Sequence, residues 1–151
     1  MGHLIEENDV SAVTLSVELE RAVIAHMLDE DKSIYVTEDD FFPFWIKLNS
    51  SAGLIIFSSY TLFTHASSQL DRLDLCNSLN ASQYMLTVYV RKEKMVFEHA
   101  LNYRDGVLRE NLIRSVRQFS SSILRGLSRF DPDHTIALLP GNEESPSTDH
   151  D

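Results

Sequence analysis

Apolar positions in this chain recur at helical spacing in three stretches and alternate with polar ones in several others. Leu15, Leu19, Val23, Ile24, Met27 and Leu28 step by helical intervals up to the acidic run Asp29-Glu30-Asp31. A first helix is therefore expected over Leu15 to Leu28, capped by Thr14 or Ser16. Ile34 to Glu38 reads as a short strand. Phe42, Phe44, Ile46 and Leu48 alternate with Pro43, Trp45 and Lys47 as in a half-buried strand, with Pro43 at an edge or strand start. The turn residues Asn49 to Gly53 join that run to Leu54 to Phe63, giving a hairpin.

A second helix is expected from Ser67 to Asn80, with Leu70, Leu73 and Cys76 on one side. Tyr84, Leu86, Val88 and Val90 then alternate up to the polar turn Lys92-Glu93-Lys94. Met95, Phe97, His99, Leu101 and Tyr103 return as a second hairpin strand. After Asp105-Gly106, the residues Leu112, Val116, Phe119, Ile123 and Leu127 form the strongest amphipathic stripe, widened by Ile113 and Leu124. The expected order is α-β-β-β-α-β-β-α, an α+β fold with helices packed on a five-stranded antiparallel sheet.

With 151 residues, 43% hydrophobic and 24% charged, the chain suits one domain with its own core. The expected division is a flexible segment over 1–13, a single domain over 14–130 and a loose acidic tail over 131–151. The net charge of −10 belongs mostly to the ends. Glu6, Glu7 and Asp9 stand at one end and Asp131, Asp133, Glu143, Glu144, Asp149 and Asp151 at the other, while Val10 to Phe130 holds all 13 Lys and Arg against 14 acids. Acidic ends and the lack of a recognition-helix motif argue against nucleic acid. A single cysteine permits no internal disulfide, which suits the cytoplasm. The apolar runs Phe41 to Leu48 and Leu54 to Phe63 are too short to span a bilayer, and the acidic start does not read as a secretion signal.

Little in the chain points to catalysis. The six histidines have no metal-ligand spacing, and adjacent Glu98 and His99 on a strand point to opposite faces. No nucleophile elbow, phosphate loop or dinucleotide fingerprint occurs. Cys76 on an apolar helix face reads as a small hydrophobe, and Asn77 and Asn80 as helix-terminal residues satisfying backbone groups. The expectation is no enzyme, no catalytic residue, no cofactor and no metal.

Two surfaces invite a protein partner. The last helix carries Arg109, Arg114, Arg117, Arg125 and Arg129 against one acid, Glu110, and Arg114, Arg117 and Arg125 share its polar face. Such a face either docks carboxylates or phosphates or is merely solvated, covered by the acidic tail. Trp45, Tyr60, Tyr89 and Tyr103 put aromatic area on the strands, which serves a peptide or subunit contact unless it packs beneath helices. Open sheet edges, or two final helices, would pair in a homodimer.

The spacing Leu73-x-x-Cys76-Asn77-x-x-Asn80 beside a hairpin, Gly106-Val107-Leu108 with Asn111-Leu112, and Phe119-Ser120-Ser121-Ser122-Ile123 resembles the YbjN family, over roughly Leu15 to Phe130. Its members are described as bacterial sensory transduction regulators, and its fold is similar to that of type III secretion chaperones. The resemblance implies a compact antiparallel sheet with helices on one side, often dimeric, and a binding role without catalytic residues. A non-enzymatic regulator acting through protein binding is the leading expectation. A chaperone holding an extended client segment on its sheet is the alternative, and a small-molecule-binding or enzymatic domain a distant second.

Overall fold

A computed structural model describes residues 3–140. Eight strands and three helices follow one another as β1 (Leu4–Ile5), α1 (Ala12–Arg21), β2 (His26–Leu28), β3 (Ile34–Val36), β4 (Phe44–Asn49), β5 (Leu54–Leu62), α2 (Gln69–Ser82), β6 (Thr87–Arg91), β7 (Lys94–Asn102), β8 (Val107–Leu108) and α3 (Arg109–Phe130). The main sheet is antiparallel throughout and six-stranded, in the order β2-β3-β4-β5-β7-β6. The three helices contribute to one core on one face of it. Phe44, Ile46, Ile55, Phe57, Met95 and Phe97 meet Leu15, Leu19, Leu79, Val116, Phe119 and Ile123 there, all essentially without solvent contact.

The sixth strand corrects the expected five. The first helix stops at Arg21, and its expected last turn, His26–Leu28, is strand β2. Val23 turns the chain with a left-handed φ of 58°, a conformation costly for a β-branched residue and signalled by no glycine. The cap is neither Thr14 nor Ser16. Ser11 caps α1 in a reciprocal box with Thr14. Ser16 instead lies with its Oγ 2.7 Å from His26 Nε2, while His26 Nδ1 donates to the Ile24 carbonyl at 2.7 Å. The carbonyl can only accept, so in the neutral ring Nε2 accepts from the serine, and the pair ties β2 to α1.

The β4–β5 turn shows why glycine is needed at 53. Its φ is +67°, and a Cβ there would lie 2.6 Å from the Arg104 side chain. In α2 the buried side is Leu75, Cys76 and Leu79, whereas Leu70 and Leu73 are exposed, against the expected face. The second hairpin begins at Thr87, and Tyr84 lies before it, fully exposed. Buried Ser120 accepts the Phe42 N–H at 2.7 Å, so a polar side chain of α3 satisfies the backbone just ahead of β4.

Both ends are more structured than expected. Within the segment expected to be flexible, Leu4 and Ile5 pair with Leu108 and Val107. Part of the expected loose tail is built in as well. The Asp131 carboxylate, buried at the end of α3, accepts from the N–H groups of Thr135, Ile136 and Ala137, and Ala137 bridges to Phe63. The rest of the expected tail, 141–151, lies outside the described residues. Among the described residues, no helix is long and apolar enough to cross a membrane.

Candidate functional site

With every helix on one face, the other face of the sheet meets solvent. Alternation along the strands and the pairing register decide which side chains stand there. Met27 faces Tyr35, Tyr35 faces Trp45, Trp45 faces Ser58, and Tyr60 and Tyr89 both flank Val96. An aromatic stripe thus crosses the sheet from β2 to β6. Tyr35 and Trp45 have ring centroids 4.8 Å apart, and Trp45 stacks on Tyr60 at 5.9 Å with 2° between planes. The small Ser58 directly opposite Trp45 leaves the room that lets the indole reach diagonally to Tyr60.

Polar groups frame the stripe. Lys94 Nζ sits 4.3 Å above the Tyr60 ring, and Tyr89 Oη donates to Glu98 at 2.7 Å, a bond that raises the phenol's pKa. Trp45, Lys47, Ser58 and Tyr60 line a shallow depression of about 260 Å³. Tyr60 remains 43% exposed although it lies between Trp45 and Lys94. Rigid aromatic area beside amines and hydroxyls suits contact with a protein surface, since such rings bury large area for few frozen torsions.

Of the residues singled out in the sequence, Trp45, Tyr60 and Tyr89 therefore share one solvent-facing surface, and none lies beneath a helix. Tyr103 is buried and takes no part. Sequence reasoning missed Tyr35, Met27 and Lys94 as members. Tyr35 could have been found, since it alternates with buried Ile34 and Val36 and so must face away from the core.

The arginine face lies on the opposite layer. Arg109 is committed to Glu18 of α1 in an ion pair, where Glu18 is buried. Arg117 donates to the Ala22 carbonyl at 3.4 Å, and Arg114 has no partner among the described residues. Arg109, Glu110, Ile113, Arg114 and Arg117 line an open groove of about 390 Å³. Glu110 is exposed there, its carboxyl held below the usual range chiefly by its own backbone N–H in the first helical turn. Arg125 stands apart, about 12 Å beyond Arg117 along the helix at 1.5 Å per residue. The structure thus groups Arg114 with Arg117 but separates Arg125 from them.

His99 and Cys76 serve packing. His99 stacks on Phe57 at 5.9 Å, and burial lowers its pKa. Burial likewise pushes the Cys76 thiol up to about 11, where it is a poor nucleophile at neutral pH. No cluster of three or more potential metal ligands occurs among the described residues.

Asn80 does something its sequence position does not suggest. The second helix runs past it to Ser82, and its side-chain amide both donates to the Val88 carbonyl and accepts from the Val88 N–H, each at 2.8 Å. It acts as a strand neighbour for the outer edge of β6.

Comparison with known proteins gives a consistent result. A family model for YbjN, described as "Putative bacterial sensory transduction regulator", matches residues 11–132. The crystal structure of YbjN from E. coli, "a putative transcription regulator", superposes with a TM-score of 0.70 at 20% identity, covering 85% of this chain and 96% of that one. A chain of the HopA1–SchA chaperone–effector complex superposes at 0.56 with 9% identity, covering 76% and 89%. At these identities the likeness is one of fold. No curated protein matches the sequence significantly.

Proposed function

Because the chain belongs to the YbjN family, whose model spans residues 11–132, we propose that it is a non-enzymatic regulator or adaptor that acts by binding another protein on the open face of its sheet. The observation that carries this reading is the contiguous Tyr35–Trp45–Tyr60 stripe, left facing solvent while Phe42, Phe44, Phe57, Phe97 and Phe119 fill the core. Aromatic anchors of this kind dominate binding energy at protein interfaces, where truncating one costs about 2 kcal/mol or more. Trp45 is the central anchor and Tyr60, Tyr89 and Lys94 its surround.

A second reading, an adaptor that holds an extended client segment, draws support from the fold shared with a chain of a chaperone–effector complex. The two differ in whether the partner is folded. The test is quantitative capture from lysate of the source by the intact chain and by the Trp45→Ala, Tyr60→Ala double variant. A partner retained by the parent and depleted at least tenfold by the variant supports the reading. Equal capture of every retained protein by both would overturn it.

A further inference from the structure

The two edges of the main sheet are finished differently, and the difference points to a second interaction site. Hydrogen bonds from Thr37 N–H to the Ala25 carbonyl and from Asp29 N–H to the Ser33 carbonyl, both 2.9 Å, fix the phase of the β2–β3 ladder. Residues 25, 27 and 29 turn their backbone groups toward β3. His26 and Leu28 therefore turn theirs outward, where the described residues provide no partner. On the far edge, the equivalent outward groups of Val88 are occupied by Asn80. The β6 edge is closed by a side chain at Val88, whereas neither outward position of β2 is covered by the described residues.

The open edge is neither flat nor polar. Met27 is 54% exposed, Leu28 42% and Val23 83%, an apolar surface along and beside the strand. At the start of β2, Glu20, Val23, Ile24, His26 and Glu38 line a groove of about 380 Å³ that carries two carboxylates. Acids also bracket the strand, with Asp29-Glu30-Asp31 after it and Glu38-Asp39-Asp40 following its neighbour β3. Arg21, Lys32 and Lys47 offset these six acids in part, Lys47 acting on Asp31, and Arg21 already leans on Glu18 at 3.7 Å.

We propose that the β2 edge takes an extended basic segment of a partner protein as a seventh strand, with its lysine or arginine side chains over the Glu20–Glu38 groove and the acidic turns. The free backbone groups of His26 and Leu28 give the strand its hydrogen bonds, and the charge selects its composition. The same charge decides against other occupants. A second copy would set these acids against their own kind, and residues 141–151 of this chain carry four acids and neither Lys nor Arg. The inference rests on reading the chain as a protein-binding module but not on the aromatic face.

The test uses the full chain and two synthetic decapeptides, one alternating lysine with valine and one alternating glutamate with valine, measured by titration calorimetry and amide hydrogen exchange. The lysine peptide should bind, should weaken as salt is raised, and should slow exchange at the His26 and Leu28 amides. Leu28→Pro removes an outward N–H that no ladder bond uses and should weaken binding at least tenfold. Because proline at a strand edge can disturb the adjoining turn, the Glu30→Lys, Asp39→Lys variant provides a second arm that should also lose affinity. Trp45→Ala should bind the peptide like the parent, which separates this site from the aromatic face. The proposal is overturned if the lysine peptide does not bind, if the glutamate peptide binds equally, or if His26 and Leu28 gain no protection. It is also overturned if light scattering finds a dimer that already shields those two amides.

Discussion

Replacing Asn80 with alanine should destabilise the chain by about 1–1.5 kcal/mol and open the β6 edge. The substitution removes two hydrogen bonds of 2.8 Å to Val88. At a net value of about 1 kcal/mol each, their loss costs about 2 kcal/mol. Val88 is buried, but Asn80 is exposed at the sheet edge, so its truncation lets water in to the orphaned groups and keeps the cost from rising above that figure. Alanine also favours the helix over asparagine by up to about 0.7 kcal/mol, which offsets part of the remainder. With a urea m-value of about 2 kcal/mol/M, the midpoint should drop by roughly 0.5–0.75 M. Asn80→Asp is the informative control. It keeps an acceptor for the Val88 N–H but faces the Val88 carbonyl with a charged oxygen, so it should cost at least as much. Urea unfolding followed by circular dichroism measures the loss, and hydrogen exchange at the Val88 amide locates it. A midpoint within 0.1 M of the parent, together with unchanged Val88 protection, would refute the idea that Asn80 serves as an edge strand's neighbour.

Other outcomes follow from the same geometry. Glu18→Gln should cost about 1–2 kcal/mol in urea unfolding, because the partly exposed Arg109 keeps only a neutral acceptor in place of its counter-charge. Gly126→Ala places a Cβ in steric conflict with Leu79 Cδ2, so the α2–α3 contact must shift, and a loss of about 1–2 kcal/mol should outweigh alanine's better helix propensity. Burial lowers the His99 pKa, so below its ordinary 6.5 the unfolded chain takes up a proton that the folded chain resists. Stability present above pH 6.5 should decline as pH falls, and His99→Phe should flatten that part of the urea-midpoint profile. For Cys76 the sign reverses with the group. Stability held below the thiol's ordinary 9.0 should be lost as pH rises toward 11, and the native thiol should resist Ellman's reagent at pH 8 until urea exposes it.

How much of this was legible beforehand varied with the kind of signal. The last helix was plain because Leu112, Val116, Phe119, Ile123 and Leu127 make an unbroken stripe. The first helix was overextended because His26, Met27 and Leu28 continue a helical spacing, and the left-handed residue that ends it is a valine. That lost strand is also the open edge of the sheet. The low amphipathicity of α2 hides its buried side, and spacing alone puts Leu70 and Leu73 inward. The aromatic residues were visible but their face was not, because a strand's alternation says that Trp45 and Phe44 oppose each other and only the helices decide which meets water. Asn80 and Asp131 act through contacts with Val88 and with the N–H groups of 135 to 137, which no periodicity encodes.

Trp45 is the sole tryptophan, and it sits outside the core with Tyr35 and Tyr60 against it. Its emission is therefore an optical report from the open face alone, fed by energy transfer from two neighbouring phenols and insensitive to repacking beneath the helices. A ligand settling on that face would shift and quench the signal with no label attached, while unfolding that began at the far layer would leave it unchanged until the sheet itself came apart. The chain carries its own indicator dye at the place where its chemistry is least explained by stability.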